Sequence, residues 1–229
     1  KLQLVRANQL MSVADPSDEA RANARQACLD AAETFNSIVS DLKGKLESMR
    51  GQKIDPEKEP DKVAQRDQYR YEFLQAQLRA GEAKQLAAQT YRDPAKDGKQ
   101  LLEEALASFT ELSEKYSGYF QGAMSMLYRA QVQRLLGDQK SALDSFQRVL
   151  EQPEVDLLRP ARMQAMTGLI EMQLAESEPK IDEIISQAKR MVDGSRPNER
   201  RVPEFAAMQV ALAKAYLFQS EKLIAAGKQ

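Results

Sequence analysis

The fold is decided by the stretch LGDQKSALDSFQRVL at residues 136–150. Gly137 suits the sharp turn that follows one helix and precedes the next. Small or apolar residues then recur at every fourth position, at Ala142, Phe146 and Leu150, so they share one face of a helix. The stretch therefore predicts the turn and second helix of a helical hairpin.

A partial copy of this pattern lies 37 residues upstream, where Ala105 and Phe109 correspond to Ala142 and Phe146. A helical hairpin of this kind cannot bury its apolar face alone and must stack on neighbouring hairpins. The two copies therefore predict an α-solenoid. Such an architecture serves many functions and does not by itself identify one.

Composition predicts a helical protein with an apolar core. Good helix formers dominate the sequence, Val and Ile are sparse, and apolar residues make up 42% of the chain. Lys and Arg number 33 against 34 Asp and Glu, for a net charge of -1. This balance argues against a general nucleic-acid binder, which carries a basic surface.

The chain contains no histidine and one cysteine. The usual general base at neutral pH and the commonest metal ligand are therefore missing, and a zinc site built from cysteines is excluded. Cys28 lies in an alanine-rich stretch and is predicted to be a small core residue rather than a reactive thiol. Adjacent carboxylates such as Glu103 and Glu104 diverge by about 100° on a helix and do not form a catalytic pair. We expect a non-enzyme with no cofactor and no metal.

The most apolar run, residues 205–218, is 14 residues long and contains Gln209 and Lys214. A membrane-spanning helix needs about 20 apolar residues, so the run predicts a packed helix and no membrane insertion. The sequence begins with Lys1, and residues 226–229 do not resemble a natural terminus. We therefore expect a piece of a longer protein, in which the absence of a signal peptide carries little weight.

Two long helices are predicted near the start of the chain, on either side of a charged linker at residues 51–60. Apolar positions recur at steps of three and four in both stretches, which would give helices of about 30 residues, or about 45 Å each. They predict an antiparallel hairpin in which small residues let the two axes approach closely. The apolar positions are Cys28, Ala31, Phe35, Ile38, Leu42, Leu46 and Met49 in the first helix and Tyr69, Phe73, Ala76, Ala80, Ala83 and Ala87 in the second.

Proline and glycine mark the helix ends. Asp15-Pro16 and Asp93-Pro94 each predict an Asp cap followed by proline in the first turn, and Pro160, Pro179 and Pro203 predict further starts. Gly51, Gly137 and Gly194 predict ends. We expect a helix at residues 2–11 and, after the hairpin, shorter helices at about 98–115, 119–136, 139–151, 160–176, 179–193 and 203–225. The predicted domains are a long helical hairpin at 1–93 and a repeat array at 94–229, packed as one continuous solenoid.

Residues 123–153 resemble a tetratricopeptide repeat, a helical hairpin of about 34 residues. Ala130 stands at the small position of its first helix, Leu136-Gly137 at the turn, and Ala142 and Phe146 at the small and aromatic positions of its second helix. Pro153 lies close to the closing proline. Gln133 stands where the family often has tyrosine. The resemblance extends in degenerate form over residues 95–225, as about three repeats with the last truncated.

The resemblance implies a right-handed solenoid of stacked antiparallel hairpins that binds a peptide or protein segment in the groove lined by the first helix of each repeat. Arginine would bind a carboxylate and methionine would give adaptable apolar contact. The sequence Lys115-Tyr116-Ser117 also resembles repeats of bacterial cell-envelope proteins, which favours that location over the cytoplasm. The register places seven residues in the groove: Met124, Gln131, Arg134, Arg162, Met172, Gln173 and Lys214.

Two other interpretations are open. The long N-terminal helices could pair between chains through Phe35, Ile38 and Leu42, which would make the protein a self-assembling structural module. The basic residues between Lys189 and Arg201 could bind an anion, although acidic residues interleave with them and favour a solvated loop. The oligomeric state and the partner are not determined by the sequence.

Overall fold

The computed structural model describes residues 2–52, 54–225 and 227 of the chain. This part of the chain contains helices and turns and no β-strand, so the all-α prediction is confirmed. The α-helices are α1 (Leu2–Leu10), α2 (Asp18–Arg50), α3 (Pro60–Gln89), α4 (Pro94–Asp97), α5 (Lys99–Lys115), α6 (Phe120–Leu135), α7 (Gln139–Leu150), α8 (Arg159–Leu174), α9 (Ile181–Asp193) and α10 (Pro203–Ala225), with 3₁₀ turns at Asp156–Leu158 and Glu199–Arg201.

The chain divides into two compact units. The first comprises residues 1–128 with 135–137, and the second comprises residues 129–134 with 138–229. The division falls within α6: residues 120–128 and 135 belong to the first unit, and residues 129–134 belong to the second.

In the first unit, α2 and α3 form the long antiparallel hairpin that the sequence predicted. Arg25 near the start of α2 donates a hydrogen bond from Nε to Thr90 Oγ1 (3.0 Å), just beyond the end of α3. Farther along α2, the Lys45 ammonium lies 5.5 Å from the centre of the Tyr69 ring, in the first half of α3. The seam between these points is built from small buried residues, which allow close approach of the helices. They are Ala24, Cys28, Ala31 and Ala32 on α2 and Ala83 and Ala87 on α3.

A second face of α3 packs against α5, and the sequence analysis missed it. Leu74, Leu78 and Gly81 are buried on this face, in addition to the alanines of the seam. Phe109 of α5 packs so closely on Gly81 that a Cβ at that position would lie 2.6 Å from the aromatic ring. Lys84 and Glu104 form an ion pair one turn away, at 2.7 Å. α3 is therefore buried on two sides.

In the second unit, α8 packs against α7, α9 and α10. Phe146 of α7 is 1% exposed, and its ring lies against Gly168 of α8, where a Cβ would stand 2.6 Å from Cζ. Phe146 therefore packs α7 against α8. Methionine and isoleucine side chains fill the core between the other helices, chiefly Met163, Met166 and Ile170 of α8, Ile185 of α9 and Met208 of α10.

The turn at residues 136–138 has the conformation that the sequence predicted. Gly137 has a φ of 81°, in the left-handed region that favours glycine. Asp138 then caps α7, because its carboxylate accepts a hydrogen bond from the backbone N–H of Ser141 at 3.1 Å. Ser145 Oγ donates a buried hydrogen bond to Gln133 Oε1 at 2.7 Å, which connects α7 to the end of α6.

Two helix starts differ from the prediction. The Asp15-Pro16 cap is wrong, since α2 begins at Asp18 and the Ser17 hydroxyl accepts from the backbone N–H of Ala20 at 3.1 Å. The serine hydroxyl thus caps the first turn, which is the role that Asp15 was expected to have. α9 begins at Ile181, two residues after the predicted Pro179. Asp93-Pro94 and Pro203 begin helices as predicted.

Candidate functional site

A row of polar side chains crosses three helices of the second unit. Gln131 of α6 donates a hydrogen bond from Nε2 to Gln164 Oε1 on α8 (3.3 Å), and Gln164 Nε2 donates to Glu204 Oε1 on α10 (3.2 Å). One turn farther along α6, Arg134 Nη1 lies 2.7 Å from Glu171 Oε2 on α8. The later residue of α6 contacts the later residue of α8, so the two helices run parallel. In a stack of hairpins, alternate helices have this relation.

A shallow hollow of about 220 Å³ opens beside this row. Its lining residues come from α6, α7, α8 and α10, and all of them belong to the second unit. We call this surface the polar groove; it is lined by Gln131, Arg134, Gln164, Thr167, Glu171 and Ala207, with Phe146 and Gly168 at its base.

The Arg134–Glu171 ion pair places two opposite charges in the groove, and the pair itself is weak. The two side chains are 38% and 48% exposed. An exposed pair of this kind contributes between 0 and about 1 kcal/mol. A carboxylate that took the place of Glu171 on the guanidinium would therefore displace a weak interaction.

The structure brings two of the predicted binding residues together. Gln131 and Arg134 both line the polar groove. Lys214 is exposed on α10 and lies seven residues after Ala207, hence on the same face of the helix two turns beyond the hollow.

Arg162 lies elsewhere. Its Nη1 donates hydrogen bonds to the backbone carbonyls of Leu150 and Gln152 (2.7 Å to Gln152), at the end of α7. These carbonyls lack partners within the helix, so the guanidinium serves as a cap. Arg162 lines a different hollow of about 380 Å³, together with Arg159 and other residues of α7, α8 and α9.

The other three predicted binding residues do not line the polar groove. Met172 is 4% exposed, in the core rather than in the groove. Gln173 Oε1 accepts a hydrogen bond from the backbone N–H of Lys180 at 3.0 Å and so orders the loop before α9. Met124 is half-buried on the part of α6 that belongs to the first unit.

Sequence analysis missed the residues of α8 that line the groove. Gln164, Thr167 and Glu171 recur at steps of three and four and form a polar stripe on one face. This periodicity was visible in the sequence. The predicted residues of α8, Arg162, Met172 and Gln173, lie at other positions of the helix than this stripe. A shift of one residue along an α-helix turns the side chain by about 100°.

A similar polar row is found in the first unit. Gln121 Nε2 donates to Gln75 Oε1 (3.4 Å), and Tyr128 Oη donates to Glu82 Oε1 (3.3 Å), so each residue of α6 contacts the residue 46 positions earlier on α3. The constant offset shows that α3 and this part of α6 run parallel. Burial, and the nearby Glu82 carboxylate, raise the pKa of Tyr128 well above its usual range. Tyr128 is therefore a neutral hydrogen-bond donor at neutral pH.

The basic residues after α9 take part in loop contacts. Arg196 donates from Nη1 to both carboxylate oxygens of Asp156, at 2.8 Å each. Arg159 pairs with the buried Glu199 and with Glu154. Arg200 Nε donates to Ser195 Oγ at 3.1 Å. These contacts connect the segments before α8 and α10.

Two of the three apolar α2 residues that could pair between chains pack inside the first unit instead. Phe35 packs on Ala31, Ala32 and Ala83 of the hairpin seam, and Leu42 is 4% exposed. Ile38 is 41% exposed. The apolar surface that these residues would offer to a second chain is therefore small.

Among the described residues, no group of three or more Asp, Glu or Cys side chains is arranged to hold a metal ion. No helix in this part of the chain is both long and apolar enough to cross a membrane. The chain matches no protein-family model, no curated protein and no solved structure.

Proposed function

We propose that the protein is a non-catalytic interaction module that binds an extended segment of a partner protein in the polar groove. The supporting observation is the polar row across α6, α8 and α10, formed by Gln131, Gln164 and Glu204 beside the Arg134–Glu171 pair. Parallel alternate helices with a polar shared face are the arrangement in which tetratricopeptide-like hairpins bind peptides. We therefore propose a tetratricopeptide-like stack of hairpins in the second unit.

The ligand that fits this surface is an extended chain with at least one carboxylate. Arg134 provides a guanidinium that can bind that carboxylate by two parallel hydrogen bonds. The amide group of Gln164, which lies between Gln131 and Glu204, would contact the peptide backbone by exchanging these hydrogen bonds. Ala207 leaves room on the α10 side of the groove for a ligand side chain, because its own side chain is a single methyl group.

The test uses charge reversal in the groove. Arg134→Glu places two carboxylates against each other, whereas the double variant Arg134→Glu with Glu171→Arg restores an ion pair in the opposite orientation. Each variant and the wild type are immobilised, exposed to an extract of the cells that produce the protein, and compared by quantitative mass spectrometry. The matched control is Arg148→Glu, an exposed residue on α7 that does not line the groove.

We expect the wild type and the Arg148→Glu variant to retain the same partner and both groove variants to lose at least nine-tenths of it. Loss in the double variant separates recognition from stability, since its ion pair is preserved. If the partner binds equally to all four proteins, the polar groove is not the binding site.

A further inference from the structure

The apolar stripe of α2 continues beyond the packed part of the hairpin. Leu42 is the last buried residue of α2, and Leu74 is the first buried residue of α3. Leu46 and Met49 follow Leu42 at helical spacing but are half-buried. At this end of the hairpin, where the loop joins the two helices, α2 and α3 leave a hollow between them.

The hollow has a volume of about 450 Å³, within the range of small-ligand and peptide-anchor pockets. We call it the tip pocket. Its apolar floor comes from four separate segments of the first unit. The floor residues are Leu46 and Met49 of α2, Ile54 of the following loop, Phe73 of α3 and Tyr116 after α5.

The rim of the tip pocket is strongly cationic. Lys43 and Arg50 of α2 face Arg66 and Arg70 of α3 across the hollow, and Glu47 is the acidic residue of the lining. Arg66 and Arg70 share the carboxylate of Asp67, at 3.2 and 3.5 Å.

Two of these cations are not paired with a carboxylate of the described residues. Within the described part of the chain, Lys43 and Arg50 have no acidic side chain within ion-pair distance. Arg66 and Arg70 are 36% and 38% exposed, so their shared carboxylate leaves guanidinium N–H groups accessible. An apolar floor surrounded by positive charge selects a ligand that is both apolar and acidic.

We propose that the tip pocket binds an acidic peptide segment that inserts one or two large apolar side chains between α2 and α3. The main argument for this ligand is that its carboxylates would complement the cationic rim of the pocket. The cations stand on two helices on opposite sides of the floor, which suits carboxylates spaced along a chain better than the single headgroup of a lipid. Leu, Phe or Met side chains of the segment would cover Met49 and Phe73, and its Asp and Glu residues would reach Arg50 and Arg70.

This site is independent of the polar groove. All of its residues belong to the first unit, whereas the polar groove is lined by residues of the second unit. Loss of groove binding therefore leaves the tip pocket intact, and the reverse also holds.

The test measures fluorescence anisotropy with a labelled, end-capped 12-residue peptide of alternating Glu or Asp and Leu or Phe. A second peptide replaces Glu and Asp by Gln and Asn. Both are titrated with the wild-type chain, with the rim variant Arg50→Gln/Arg70→Gln and with the floor variant Met49→Gln. The matched control is Lys140→Gln/Arg148→Gln, which removes the same charge from exposed positions on α7. Circular dichroism verifies that each variant keeps its helix content.

We expect saturable binding of the acidic peptide, at least tenfold weaker for the rim variant, about fivefold weaker for the floor variant and unchanged for the control. The neutral peptide should bind at least tenfold more weakly than the acidic one. The proposal is overturned if the acidic peptide does not bind, or binds all four proteins equally. It is also overturned if vesicles containing phosphatidylglycerol bind in a manner that depends on Arg50 and Arg70 while the peptide does not.

Discussion

Replacement of Gly168 by alanine sets two opposing effects against each other. Alanine is more favourable than glycine inside a helix by about 1 kcal/mol. In α8, however, the added Cβ would stand 2.6 Å from Cζ of Phe146 and 2.9 Å from both Cε atoms. Carbon atoms pack at about 3.5–4.0 Å, so the ring would have to move by about 1 Å. Phe146 is 1% exposed, so a shift of its ring disturbs the packing of the buried side chains around it.

The magnitude follows from these contacts. Overpacking a core costs about 1–3 kcal/mol, which exceeds the gain in helix propensity. We therefore expect Gly168→Ala to lower the free energy of unfolding by about 1 kcal/mol. In a Phe146→Leu background, the ring atoms that oppose the new methyl group are gone, and the same replacement should raise the free energy of unfolding by up to about 1 kcal/mol.

The assay is urea unfolding followed by circular dichroism at 222 nm for the wild type, both single variants and the double variant. The matched control is Gly44→Ala, because Gly44 lies inside α2 and a Cβ there would meet nothing within 4 Å. That replacement should be stabilising in both backgrounds. The reasoning is refuted if Gly168→Ala stabilises the wild-type protein as much as Gly44→Ala does, or if its effect has the same sign with Phe146 and with leucine.

Three further predictions concern single side chains. Burial raises the pKa of the Cys28 thiol to about 11, so its reaction with a disulfide reagent at pH 8 should be slower than that of free cysteine by about two orders of magnitude, and a fast reaction in the folded protein would contradict this. Hydrogen bonds from Ser141 lower the pKa of Asp138, so its cap stabilises fully above pH about 4 and loses strength as pH falls through the lowered value. In the variant Asp138→Asn, the side chain still caps the helix but does not titrate. The difference in the free energy of unfolding between the wild type and this variant should therefore be constant above pH about 4 and change below it. Ser145→Ala leaves the buried Gln133 Oε1 without its donor and should lower the free energy of unfolding by about 1–3 kcal/mol in urea, whereas an unchanged midpoint would show that this oxygen finds another partner.

Helix positions could be predicted because the residues that end helices act locally. Asp93, Gly137 and Pro203 each determine the backbone or a hydrogen bond within one turn of their own position. The error at Asp15 has the same origin, since Ser17 offers an equivalent oxygen two residues later and the pattern does not decide between them.

The second buried face of α3 was not predicted because alanine is only weakly hydrophobic, so the alanine face of this helix differs little in hydrophobicity from its other faces. Ala76, Ala80 and Ala83 mark the seam with α2, yet Leu74 and Leu78 on the neighbouring positions are equally buried. A helix covered on two sides has no clear polar face in this region, and apolar periodicity alone then identifies only one of its contacts.

The candidate site was predicted in part. Gln131 and Arg134, which follow from the register of the best-formed hairpin, both line the hollow that we call the polar groove. Arg162 was placed there by the same register in a degenerate unit. Its long side chain reaches the carbonyls at the end of α7, a contact that depends on how α7 and α8 pack and that no local pattern contains.

The central claim is that a partner segment lies in the polar groove, and site-specific photocrosslinking tests it most directly. A photoreactive amino acid is placed at Ala207, which lines the groove, or at Ala206, which is also exposed but points about 100° away on α10. The crosslinked partner is identified by mass spectrometry in both proteins. We predict one partner segment containing a carboxylate that crosslinks from position 207 and not from position 206. Equal crosslinking from both positions, or crosslinking from position 206 alone, would contradict the account.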